Sequence, residues 1–194
     1  MLDLRPATDV LARLVQGVRD AQLGEPTPCV DMTVGDLLDH IDGLSLAFTA
    51  AATKVPPADC PRGPSADASR LGDDWRTRIP VRLTALANAW RDQSAWEGMT
   101  EAGGLELPGE VAGIVALDEV VVHGWDLAVA SGQEFTCDRE LLNAVHQFAR
   151  QTVAENPHGT PGLFGPPVAV PDDAPLLDRV LGLTGRDSAW RPAR

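Results

Sequence analysis

Apolar residues recur at spacings of three and four along the first two thirds of the chain, which predicts a succession of amphipathic helices. Leu11, Leu14, Val15 and Val18 share one face of a segment opened by Pro6 and Thr8 and ended by Gly24-Glu25-Pro26-Thr27-Pro28. A second helix is predicted from Thr33, where Asp36 three residues on makes a capping-box-like pair, with Leu37, Ile41, Leu44 and Phe48 on its buried face. Trp75, Ile79, Leu83, Leu86 and Trp90 mark a third helix. The fourth, roughly Glu110 to Ala130, is apolar nearly all round, the pattern of a helix in the middle of a core. A fifth is predicted from Asp138 to Glu155, and a short Leu-rich one from Leu176 to Leu183. Gly98 to Gly109 reads as a loop and Phe164 to Val170 as a brief extended piece; convincing alternating strands are missing.

Four long amphipathic segments predict an all-α fold, a four-helix bundle. Lys54 to Gly72 holds four prolines and two glycines and little apolar periodicity, so it reads as a long linker of nineteen residues. Short loops force neighbouring helices antiparallel, whereas a long one permits a crossover and a parallel pair. The expected layout is therefore a bundle over residues 1–135 with one crossover connection. A helical extension over residues 136–194 packs on the same domain.

Composition narrows the partners. Sixteen basic residues face 28 acidic ones, a formal net charge of −12 that argues against unaided binding to nucleic acid or to an anionic membrane surface. The cysteines Cys29, Cys60 and Cys137 are few, odd in number and without CxxC spacing, so neither a disulfide framework nor a four-cysteine zinc site is predicted. The start MLDLRPATDV shows no apolar signal region, and the apolar run Val111 to Val122 is broken by Asp118 and Glu119. The expectation is a soluble, reduced, cytoplasmic protein, monomer or homodimer.

Two histidines occupy positions where apolar residues belong. His40 lies three after Leu37 and four before Leu44, on the stripe that faces the core. His123 lies four after Glu119, and Val115, Glu119, His123 and Leu127 form one face of the most apolar helix. An ionised carboxylate in such a place must be paired or must coordinate a metal. His40, Glu119 and His123 together make a three-ligand set that leaves room for water or substrate, as in catalytic zinc sites. Two imidazoles and a carboxylate also suit iron(II), with nickel or manganese as alternatives. The competing readings are an internal Glu119–His123 hydrogen-bonded pair without metal, or a surface salt bridge.

Other residues carry weaker signals. Asp126, three after His123, can orient a ligand imidazole, although an Asp late in a helix is more often solvated. Trp125 can wall a pocket, with core packing the commoner outcome. Arg186 can return to the site and hold an anionic group bidentately, against the commoner surface salt bridge. Cys29, just before the second helix, is either reactive or, more commonly, a buried inert thiol. His146 has no second ligand at helical spacing, and His158 falls in a loop. P-loop, GxGxxG, GxSxG and HExxH motifs are missing.

Three motifs carry a family resemblance. Thr27-Pro-Cys-Val-Asp-Met-Thr-Val-Gly-Asp-Leu-Leu-Asp-His-Ile-Asp-Gly resembles the opening of the actinobacterial DinB-like metal-binding proteins. Leu117-Asp-Glu-Val-Val-Val-His-Gly-Trp-Asp-Leu-Ala resembles their ligand-bearing helix, and Pro171 to Arg186 the ending of a subfamily grouped with the N-terminal domain of mycothiol-dependent maleylpyruvate isomerase. The motifs span positions 27–187. Met32 departs from the family pattern, which has tryptophan there; this bears on packing near the second helix, not on ligation.

The resemblance implies a DinB-like four-helix bundle with a divalent metal, zinc before nickel or iron, on His40, Glu119 and His123. It also implies mycothiol as a cosubstrate and a small-molecule electrophile as the other partner, in a thiol-dependent transferase or isomerase. The full C-terminal domain that accompanies the isomerase is expected to be missing, which weighs against isomerase activity itself. A non-catalytic metal- or small-ligand-binding bundle is the alternative function, and a metal-free structural domain the third.

Overall fold

The computed structural model describes residues 1–55 and 66–192. Among them lie seven α-helices and one two-stranded sheet. Helix α1, Arg5–Gly17, has Pro6 in its first turn, where a missing N–H costs nothing, and buries Leu11, Leu14 and Val15. Helix α2, Val34–Thr53, starts on a closed capping box. The Asp36 N–H donates to Thr33 Oγ1 at 3.2 Å, and the Thr33 N–H donates to Asp36 Oδ2 at 3.0 Å. Aspartate thus fills the place usually held by Glu or Gln.

Of the linker predicted over Lys54 to Gly72, residues 56–65 lie outside the described residues. The following stretch is tied down on α2. The Ala68 N–H donates to Asp36 Oδ1 at 2.8 Å and the Asp67 N–H to Asp39 Oδ2 at 3.0 Å. Helix α3, Trp75–Ala89, buries Trp75, Ile79, Leu83 and Leu86, and Trp90 at its end donates its indole N–H to the Phe48 carbonyl at 3.1 Å. A short helix α4, Gln93–Trp96, follows.

Where the sequence predicts a loop from Gly98 to Gly109, the chain forms a hairpin of β1, Met99–Ala102, and β2, Leu105–Pro108, in antiparallel register. Gly103 and Gly104 both have positive φ, 61° and 82°, which is what a two-residue hairpin turn demands. Thr100 and Leu107 face each other across the ladder. The Thr100 hydroxyl donates to the Ala51 carbonyl of α2 at 2.6 Å, and Leu107 packs against the core. The segment Phe164 to Val170 joins no sheet; Phe164 makes a single bridge to Thr160, and the Val168 N–H donates to the Gly182 carbonyl at 2.8 Å.

Helix α5, Gly109–Ser131, is buried along most of its length. Both α1 and α2 pack against α3 and against α5. Leu37, Leu117 and Leu127 are fully buried where these faces meet. Truncating such a leucine to alanine costs about 2–5 kcal/mol. Helix α6, Arg139–Glu155, lies on α5 and in turn carries α7, Leu176–Leu183. Among the described residues no helix is long and apolar enough to cross a membrane.

Candidate metal centre

The contact between α2 and α5 decides where the unusual polar residues meet. His40 stands on the second turn of α2, one turn past the capping box that fixes where the helix begins. Glu119 and His123 stand one turn apart in the middle of α5. His123 Nε2 lies 3.0 Å from Glu119 Oε2, and His40 Nε2 lies 3.8 Å from the same oxygen. The two imidazoles meet edge to face, with centroids 4.9 Å apart and planes at 90°. One ligand atom from each of the three residues lies within 4.8 Å of the other two. The three side chains are only 10%, 11% and 7% exposed for His40, Glu119 and His123.

These donors fit a tetrahedral divalent ion. Two ligands about 2.0–2.1 Å from one such ion lie roughly 3.3–3.4 Å apart, a spacing bracketed by the two contacts at Glu119 Oε2. Imidazole nitrogen and carboxylate oxygen are the donor types that zinc accepts in open sites. Ile41, Leu44, Phe48, Leu86 and Val120 line a small apolar crevice that the Glu119 side chain also borders.

The far side of His123 is also organised. His123 Nδ1 lies 3.0 Å from Asp126 Oδ2, so an Nδ1–H donated to that oxygen leaves Nε2 aimed at Glu119. Asp126 is fully buried, and Arg186 grips it from the C-terminal segment, Nη2 to Oδ2 at 3.0 Å and Nε to Oδ1 at 3.4 Å. Two sequence expectations are corrected here. Asp126 is not solvated, because α5 is covered on that side. Arg186 makes no surface salt bridge, because its partner lies inside the fold.

In the metal-free form the cluster is a charge network. Burial pushes the Glu119 carboxyl up, but the His123 and His40 imidazoles beside it outweigh that and hold it down at about 2. Burial pushes His123 down, yet the hydrogen bonds to Asp126 and Glu119 raise it to about 9. Next to them, Asp118 is buried with no partner for its Oδ1 among the described residues. Burial, and then the charge of Glu119, push its carboxyl well above the ordinary range.

Cys29 lies in the turn before α2. Its sulfur falls within 4.8 Å of ligand atoms of His123 and Asp126. Burial raises its thiol to about 11, which fits the inert reading of the sequence. Trp125 is buried in α5. His146 on α6 is half-buried and His158 is exposed in a loop, and neither joins the cluster. Met32 is half-buried against the core and is no part of the cluster.

The architecture is that of a mostly helical protein similar in fold to a known isomerase. The crystal structure of the mycothiol-dependent maleylpyruvate isomerase superposes with a TM-score of 0.65 at 19% identity, over 96% of this chain and 88% of that one. A histidine-to-alanine mutant of that isomerase superposes with a TM-score of 0.59 at 20% identity, over 78% and 69% of the two chains.

The chain belongs to the mycothiol maleylpyruvate isomerase N-terminal domain family, whose model matches residues 4–128. Its relatives include two uncharacterized proteins from strains of Mycobacterium tuberculosis, Rv0738 and MT0763. Each is 30% identical to it over 184 residues and matched over 93% of both chains.

Proposed function

We propose that the chain is a divalent-metal-binding enzyme that activates a low-molecular-weight thiol, mycothiol in its own cell, for attack on an electrophilic small molecule. The observation that carries this reading is the convergence of His40, Glu119 and His123 from two helices onto one point between α2 and α5. A simple Glu119–His123 pair gives no reason for a second buried histidine beside the same carboxylate oxygen. Family membership supports the thiol, because the solved relative is titled mycothiol-dependent.

On this reading residues 1–135 form a DinB-like four-helix bundle of α1, α2, α3 and α5, with the α2–α3 connection as its crossover. Residues 136–194 form a helical extension on the same domain. The pairwise packing of α1 and α2 on both α3 and α5 supports it. The protein works in the cytoplasm, as a monomer or homodimer.

His40, Glu119 and His123 would hold the ion, zinc before nickel or iron(II). A bound ion supplies an open Lewis-acid position that lowers the pKa of a thiol, so that thiolate is present near neutral pH. His123 would ligate through Nε2, with the proton on Nδ1 donated to Asp126 Oδ2. Glu119 would offset part of the ion's charge.

The test is a screen of thiol and electrophile pairs with zinc-loaded and chelator-stripped protein. Thiol consumption is expected only with the loaded form. A loaded protein that binds thiol but turns over no member of the panel supports the second reading, a non-catalytic carrier or sensor.

A further inference from the structure

We propose that Arg186, and with it the segment from Leu176 to Arg186, is a positioning element of the metal centre. The inference rests on the metal-binding reading above. Asp126 Oδ2 is shared: His123 Nδ1 reaches it at 3.0 Å and Arg186 Nη2 at 3.0 Å. The other oxygen, Oδ1, lies 3.4 Å from Arg186 Nε. A carboxylate held by one bond can swing about its last torsion, whereas one gripped on both oxygens by a planar guanidinium cannot. The oxygen that meets His123 is thereby fixed, and so is the imidazole.

The guanidinium itself is anchored. Its Nη1 donates to the Thr184 carbonyl at 2.8 Å, and the Arg186 backbone N–H donates to the Leu181 carbonyl at 2.8 Å. The segment sits on its neighbours with no slack. Gly185 has φ +84°, and a Cβ there would stand 2.9 Å from the Gly165 carbonyl carbon. A Cβ on Gly182 would stand 2.7 Å from the Val168 carbonyl oxygen.

Such close backbone packing places Arg186 in a defined spot beside α5, 60 positions from Asp126 in sequence. The family model ends at residue 128, so this support for the centre comes from outside the matched part of the chain. Groups that orient ligand imidazoles typically govern metal affinity by about 10–100-fold. Arg186 acts one bond further out and touches no ligand atom itself.

The test uses the untagged full chain, stripped by chelator, as wild type, Arg186→Met, Arg186→Lys and Arg191→Met. The last is a control, since among the described residues the Arg191 guanidinium bonds only to the Ser188 and Trp190 carbonyls at the surface. Zinc affinity is measured by competition with a chromophoric chelator, and ligand geometry by the visible bands of the cobalt(II) form. Circular dichroism identifies the folded variants. Arg186→Lys keeps a positive charge beside Asp126 and serves where Arg186→Met fails to fold.

The expected result is zinc binding weakened about 10–100-fold in Arg186→Met and less in Arg186→Lys, with shifted cobalt bands in both and an unchanged control. A purely structural role would lower the melting temperature without moving those bands. Unchanged affinity and bands in a folded Arg186 variant, beside a wild type that binds zinc, overturn the proposal and leave the metal reading standing. A wild type that takes up no zinc removes the metal reading and this proposal with it.

Discussion

Replacing Asp126 by alanine removes the one carboxylate that both His123 and Arg186 use inside the fold. Asp126 is fully buried, and the Arg186 side chain is 9% exposed, so solvent screens the pair very little. Deleting one member of such a pair leaves an unpartnered buried charge, and the usual cost is about 3–5 kcal/mol. That is a large share of a net stability of about 5–15 kcal/mol. The double variant Asp126→Leu/Arg186→Met leaves no orphaned charge. Only the unmet donor on His123 then remains, at about 1–3 kcal/mol.

The single variant is therefore expected to be less stable than the double one. The assay is urea unfolding of the chelator-stripped protein at neutral pH, read as the shift in midpoint at constant slope. An Asp126→Ala loss below about 1 kcal/mol would refute the reasoning. So would a double variant as unstable as the sum of its singles.

Other expectations follow from the same geometry. Thr33→Ala opens the capping box at the start of α2 and should cost about 1 kcal/mol in the same unfolding assay; a loss within error would mean the box contributes nothing. Gly185→Ala forces a Cβ into the Gly165 backbone at positive φ and should lower the melting temperature, where an unchanged value would show that the C-terminal segment is not held there.

The metal-free protein should have a stability maximum in mild acid. Glu119, held at about 2 against an ordinary 4.5, stabilises above about 4.5 and loses that contribution as pH falls toward 2. His123, raised to about 9 from 6.5, stabilises fully below about 6.5 and loses that contribution as pH rises through 9. A midpoint that stays flat from pH 6.5 to 9 would contradict the second limb.

The helices were legible in the sequence because burial imposes a period on the apolar residues. The stripe Trp75, Ile79, Leu83 and Leu86 lies buried in α3, and the Leu-rich run became α7 with the bounds its pattern suggested. Thr33 and Asp36 announced a helix start that the hydrogen bonds complete. His40, Glu119 and His123 drew notice as polar residues in apolar registers, and α2 and α5 bring them together.

The hairpin was missed because its strands span four residues each and too few of their side chains are buried to impose alternation. The signal present was Gly103-Gly104, a pair suited to a two-residue turn. The Asp126–Arg186 pair had no local signature at all. It joins residues 60 apart, and only the return of the C-terminal segment onto α5 makes it. Frequency favoured a solvated Asp and a surface Arg, and tertiary burial reversed both.

The central claim is a metal held by His40, Glu119 and His123, and a metal titration tests it most directly. Chelator-stripped, untagged protein is titrated with zinc beside its His123→Ala variant, and bound metal is counted by elemental analysis. One ion per wild-type chain is the predicted result, with none retained by the variant under the same conditions. A wild type that retains no ion, or a variant that retains the same one ion per chain, would contradict it.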